Sequence, residues 1–304
     1  MTKITNALVV ECKNHFFDLR KERISTQCVC CGSEVLVSSP AILMPFIAHR
    51  VFDWSPIVID ESWGLKTIAN GNAYSICKSL YCSDCGLLYC DIRFSDAESS
   101  KLYDGYRGKE YNELRNFYEP GYTARSVNIN AGVEYIGDIE KFLTPHLNLP
   151  VTILDWGGGT GKNTPFKKSN TAFDIYDVNK KEVADGANVV SKDEAFSKKY
   201  QLIVCSNVIE HVSYPSDLLF DILNVMNKES VLYIETPLEN IMAINEINLY
   251  TKKKHWHEHI NFFSEKSLRK LFENVGLNVI DLATLRATAG GQSSHLFQVA
   301  CKLK

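Results

Sequence analysis

Along the second half of the chain, apolar positions fall into two alternating periods. Val151-Thr-Ile-Leu-Asp-Trp, Thr171-Ala-Phe-Asp-Ile-Tyr-Asp177, Leu202-Ile-Val-Cys205 and Val231-Leu-Tyr-Ile-Glu-Thr-Pro237 are short apolar runs closed by an acid, a polar turn or a proline, and they predict strands. Helical spacing runs from Pro215 to Met226 and from Glu265 to Val275, and Val279 to Leu285 with His295 to Lys302 predicts a closing strand pair. Upstream, Val127, Ala131, Val133, Ile136, Ile139 and Phe142 give Ser126 to Leu143 an approximately helical period. Strands alternating with helices predict an α/β fold with a twisted, mostly parallel sheet. The chain divides into an N-terminal unit over 1–100, a helical connecting segment over 101–146 and a main domain over 147–304.

The first of these strands ends in Asp155-Trp-Gly-Gly-Gly-Thr-Gly161. Glycines let the backbone turn sharply with no Cβ in the way, so a ligand can lie against main-chain N–H groups. A dinucleotide fingerprint read from Gly157 fails at Lys162, and a phosphate loop fails at Trp156 and Asn163. The glycine spacing therefore disfavours a dinucleotide oxidoreductase. Asp177 closes the second strand 22 residues beyond Asp155, about where a doubly wound fold places the carboxylate for ribose hydroxyls, with Asp174 as the alternative. The third strand opens onto Asn207, Glu210 and His211.

Two C-x-x-C-G units, Cys28-Val-Cys-Cys31-Gly32 and Cys82-Ser-Asp-Cys85-Gly86, are the second signal. Such turns let paired thiolates grip one side of a tetrahedral Zn²⁺, and four sulfurs leave no open position for catalysis. The expected ligands are Cys28, Cys31, Cys82 and Cys85 around a structural Zn²⁺; Cys30 is an alternative to either member of the first pair, and Cys77 and Cys90 lie close. The intervening residues, which include Trp54 and Trp63, are expected to form a small subdomain clipped by the metal. A third stretch, Lys254-His-Trp-His-Glu-His-Ile-Asn-Phe-Phe-Ser264, repeats histidine at every second position. No further acid or cysteine follows His255, His257 and His259 at ligand spacing, so a metal on these three is not expected. Tyr106, Arg107, Tyr111, Arg115, Tyr118 and Tyr122 crowd the connecting segment, either to fold over a cofactor mouth or to pack on the main domain.

The D-x-G-x-G-x-G loop resembles motif I of the class I S-adenosylmethionine (SAM)-dependent methyltransferases. The N-x-x-E-H and H-E-H-x-x-x-F-S elements, with the four-cysteine module ahead of them, are similar to the branch acting on sugars and small molecules. The resemblance implies a Rossmann-like sheet with SAM on Asp155, Gly157, Gly159, Gly161, Asp177 and Asn207. It implies a base at His259, with Glu258 orienting it or touching substrate and His211 as rival or assistant. The implied acceptor is a sugar, nucleotide sugar or glycan-linked small molecule. C-methylating members have a further C-terminal domain and tend to carry tyrosine where Trp256 stands, so O-methylation is as much expected as C-methylation. The alternative is a non-catalytic SAM- or nucleotide-binding protein whose zinc module recruits a partner.

Composition narrows the partners. The 304 residues, 45% hydrophobic, are enough for a sizeable core, and a net charge of −3 gives no basic footprint for nucleic acid. No apolar run approaches the ~20 residues that span a bilayer, and the start lacks a signal-peptide core, so a cytoplasmic location is expected. Eight of the ten cysteines precede residue 91, a clustering that favours metal over disulfides.

Overall fold

The computed structural model describes residues 10–12, 15–17, 21–124, 133–169, 172–178, 183–244, 248–289 and 292–304. Strands β1 (Leu36–Leu43), β2 (Ile76–Cys82) and β3 (Leu88–Cys90) run antiparallel, with α1 (Pro45–Phe52) between the first two. Helices α2 (Asp96–Tyr103), α3 (Lys109–Tyr118) and α4 (Ile136–Leu143) occupy the connecting region. A Ser95/Glu98 capping box satisfies the first turn of α2. The last of these begins ten residues after Ser126; the Val127 and Ala131 positions of the expected helix lie outside the described residues.

Five parallel strands follow: β4 (Ile153–Trp156), β5 (Phe173–Tyr176), β6 (Ala187–Val189), β7 (Leu202–Ser206) and β8 (Val231–Leu238). Every residue of β4 is buried, as are Leu202 to Cys205, because a central parallel strand is covered on both faces. The chain then returns to the first sheet. β9 (His255–Trp256) pairs parallel with β1 and β10 (Asn261–Phe262) pairs antiparallel with β3, so both edges are covered and the order is β9-β1-β2-β3-β10. After α5 (Glu265–Asn274), which buries Leu268, Leu271 and Phe272 at helical spacing, the hairpin β11 (Leu277–Ala289) and β12 (Gln292–Leu303) closes the main sheet.

The main sheet reads β6-β5-β4-β7-β8-β12-β11, with β12 antiparallel to its neighbours. Chain order reverses between β4 and β7, and the crevice at the carboxyl ends of these strands is where open α/β sheets bind ligands. The two sheets share a core: Cys82, Leu87 and Tyr89 cluster with Trp156, Phe263 and Leu271. Arg93 is the polar joint. Its fully buried guanidinium donates to the carbonyls of Cys90, Ser213 and Ile260 and to Asn261 Oδ1, tying β3, the loop after β7 and β10 together. Among the described residues, no helix is long and apolar enough to cross a membrane.

Candidate active site

The glycine loop is forced by its surroundings. Gly157, Gly159 and Gly161 have φ of 81°, 57° and 72°, a region that costs other residues about 1–2 kcal/mol. Space is equally tight: a Cβ on Gly157 would stand 2.6 Å from Val208 Cγ2, one on Gly158 2.4 Å from Asp155 Cγ, and one on Gly161 2.5 Å from Ile175 Cδ1. Asp155 lies buried beneath the loop, accepting from Thr164 Oγ1 at 2.5 Å, and burial pushes its carboxyl up to about 6. Gly159 N–H donates to Asp177 Oδ2 at 2.8 Å, so the half-buried Asp177 flanks the loop at the end of β5. The oxygens of Asp174 are taken by Lys198, Tyr200 and Asn188. Asn207, at φ 54°, donates from Nδ2 to the buried Glu235, which also accepts from Tyr135 and Tyr233.

One turn separates this loop from the histidines. Val208 covers Gly157, and two and three residues on, Glu210 and His211 lie against the segment that joins β9 to β10. The Glu210 carbonyl accepts from Ile260 N at 2.9 Å and Asn261 N at 3.1 Å, which fixes that segment against the turn. The rings of His211 and His259 meet edge to face at 4.6 Å. His211 Nδ1 lies 2.8 Å from Tyr103 Oη and 3.1 Å from the Glu258 carbonyl, and His259 Nδ1 lies 2.7 Å from Glu239 Oε1. Glu210 Oε2 accepts from Thr236 Oγ1 at 3.1 Å.

Charge within the cluster is set by burial against neighbours. Burial pushes Glu210 up to about 7 and His211 down to about 3. It also pushes His259 down, but the Glu239 hydrogen bond and the Glu210 charge outweigh it and hold that imidazole above its usual value. The Glu258 carboxylate bears on His259 through its charge. Arg115 Nη2 holds it at 2.7 Å and, against burial, drives it down to about 2. Arg115 is 4% exposed, and its guanidinium also meets Glu119 and lies 4.1 Å over the Tyr122 ring. His257 turns toward Glu119 and its ring meets that of His255, on β9, edge to face at 5.2 Å, while His259 leaves them for His211, so the repeat splits into a pair and a single histidine. Thr164, Glu235, Glu239 and Tyr103 were not singled out from the sequence: each becomes a partner only through the fold, and none lies in a recognisable spacing.

The cysteines converge as well. Sγ atoms of Cys28, Cys31, Cys82 and Cys85 all lie within 4.8 Å of one another, with Cys28 and Cys85 at 3.6 Å and Cys31 and Cys82 at 3.5 Å. Gly32 and Gly86, at φ 75° and 78°, close the two knuckles by donating to the carbonyls of Cys28 and Cys82 at 2.8 Å. Cys30 Sγ donates to the Ser267 carbonyl at 2.9 Å, and Cys77 groups with Cys90 and Asp91. Ser264 Oγ, at the start of α5, donates to the Cys85 carbonyl at 3.1 Å, so the knuckle seats the helix that follows the histidine segment.

A family model described as a methyltransferase domain matches residues 129–282, just over half of the chain. The chain belongs to this family. It is a SAM-dependent methyltransferase with a class I, Rossmann-like sheet. No curated protein matches the sequence. Among solved structures, the methyltransferase is similar to the Burkholderia thailandensis 1,6-didemethyltoxoflavin N1-methyltransferase with bound 1,6-didemethyltoxoflavin and S-adenosylhomocysteine, at 13% identity over 73% of this chain and 97% of that one, with a TM-score of 0.48. It is also similar to the Synechocystis PCC 6803 magnesium protoporphyrin IX methyltransferase with bound SAH, at 14% identity, 66% and 97% coverage and a TM-score of 0.43. A glycopeptide N-methyltransferase complexed with SAM gives 12%, 57% and 95% coverage and 0.44.

Proposed function

We propose that this methyltransferase moves a methyl group from SAM to a sugar, nucleotide sugar or glycan-linked small molecule, at oxygen or carbon, with His259 as the base. The observation that carries this reading is the single turn joining the cofactor loop to the histidines: Val208 seals Gly157, while Glu210 and His211, two and three residues on, meet His259. Backbone N–H groups of the loop and the Asp177 carboxylate suit an adenosine and methionine ligand without phosphate, with Asp155, Gly157, Gly159, Gly161 and Asn207 shaping the bed. When bound, SAM supplies a sulfonium whose methyl is already activated. The chain's own task is then to hold the acceptor in line and take one proton from it.

His259 is placed for that task. Glu239 fixes one ring nitrogen and leaves the other to accept the proton, and His211 stands beside it as the assisting imidazole. Glu258, locked to Arg115, orients the segment through its backbone and places an anionic charge near the imidazolium that forms. Tyr103 and Tyr106 meet edge to face, with Tyr103 also against His211, and offer an aromatic wall to a sugar ring. The four sulfurs suit a structural Zn²⁺: bonds of ~2.3 Å in a tetrahedron place ligand sulfurs about 3.8 Å apart, close to the spacings found. Unbridged thiols at the described cysteines suit a reducing cytoplasm.

His259→Ala is expected to lower turnover by roughly 10²- to 10⁴-fold while calorimetric SAM affinity stays nearly unchanged. Asp177→Ala should weaken SAM binding and spare single-turnover transfer at saturating cofactor. Undiminished transfer by His259→Ala across nucleotide sugars and glycan precursors would remove the base assignment.

A further inference from the structure

Two imidazoles and a carboxylate converge beside the cofactor crevice in a way that proton transfer alone does not exhaust. One ring nitrogen each of His211 and His259 and one oxygen of Glu210 lie within 4.8 Å of one another. Glu210 is 1% exposed, and its Oε1 has no hydrogen-bond partner. That oxygen stands 3.8 Å from His211 Nε2. A buried carboxylate oxygen without a donor is costly, which marks the space between it and the rings as a place for an electropositive group.

The rings are prepared for the same guest. Metal-ligating histidines as a rule donate their second ring N–H to a carboxylate or backbone carbonyl, which fixes the tautomer and frees the opposite lone pair. Here His259 Nδ1 has the Glu239 carboxylate at 2.7 Å, and His211 Nδ1 has the Glu258 carbonyl at 3.1 Å. Two imidazole nitrogens and one carboxylate oxygen form the three-ligand set of zinc sites that keep a fourth position open, and imidazole selects first-row transition ions over magnesium or calcium. His259 is also the way in, because its side chain is 32% exposed.

We propose that Glu210, His211 and His259 bind a divalent first-row cation of the zinc type, at a second site that shares no ligand with the four cysteines. Binding displaces any proton on the two imidazoles to solvent and forms three metal–ligand bonds; it breaks none in the cofactor. Its consequence for activity rests on the histidine-base reading: the cation occupies the lone pair that takes the acceptor's proton, so added zinc inhibits transfer in competition with the acceptor.

The test uses full-length protein as purified, titrated with Co²⁺ in a calorimeter and by visible absorption. The expected result is one added equivalent with weak ligand-field bands and no sulfur-to-cobalt charge-transfer absorption. That equivalent should vanish in Glu210→Gln and in His259→Ala, and weaken about 10- to 100-fold in Glu239→Gln. His259→Ala alters a partly exposed ring, so it keeps the test valid if Glu210→Gln fails to fold. No added equivalent in the wild type, or one that survives in both variants, overturns the site. If the equivalent binds but zinc speeds transfer, the site stands and the histidine-base reading falls. Loss of transfer in His259→Ala with no added equivalent does the reverse.

Discussion

The glycine loop and the histidine cluster sit at two ends of one turn and are built in opposite ways. The loop is written in consecutive residues, and its shape is enforced by Asp155 and Ile175 of the main sheet and by Val208 of the turn after β7. The histidine cluster draws Tyr103 from α2, Glu210 and His211 from the turn after β7, Glu239 from beyond β8 and His259 from a segment clamped in the first sheet. A site of the first kind depends on local backbone conformation. One of the second kind depends on every element that holds its pieces in register, including the cysteine knuckle under α5.

Breaking the distant support should therefore separate the two. With Cys85→Ala, the proposed metal is lost, a term of order 10 kcal/mol in small zinc-folded units. We expect methyl transfer to disappear while SAM titration retains affinity within about tenfold; equal loss of both would mean that the cofactor loop also leans on the knuckle. Arg115→Met removes one partner of a buried pair and strands Glu258, so a destabilisation of about 3–5 kcal/mol is expected in thermal unfolding.

The same pair gives a pH signature. Because Glu258 is held down at about 2 from an ordinary 4.5, its contribution is fully present above 4.5 and is lost as pH falls toward 2. Glu258→Gln should flatten that limb of the stability profile. The smallest effect belongs to the loop. Gly157→Ala combines a positive φ with a Val208 collision, and about 1–2 kcal/mol, or 5- to 30-fold in SAM affinity, is expected with little change in unfolding temperature. A large drop in unfolding temperature would show that the loop is not an independent local device.

Strand positions in the main sheet were legible, the short half-exposed edge strand β6 apart, because buried parallel strands leave unbroken apolar runs, as at Leu202 to Cys205, and because the turn after β4 requires glycine. The four cysteines were legible for a similar reason, since each knuckle is a local turn. What the sequence could not display is where distant carboxylates point. Glu258 sits next to His259 in the chain, yet Arg115 captures it and Glu239 reaches the imidazole in its place. Likewise β9 and β10 are two residues each, too short to carry a period, and only pairing with β1 and β3 defines them. The parting of His259 from the paired rings of His255 and His257 accompanies that pairing.

The return of residues 255–262 to the first sheet has a practical consequence for anyone cutting this chain. A fragment ending near residue 100 would keep its thiols but lose the two ribbons that cap β1 and β3, leaving bare N–H and C=O rows on both flanks, a template for self-association into aggregates. Supplying the excised 255–262 peptide in trans should restore solubility to such a fragment, turning a topological curiosity into a complementation assay.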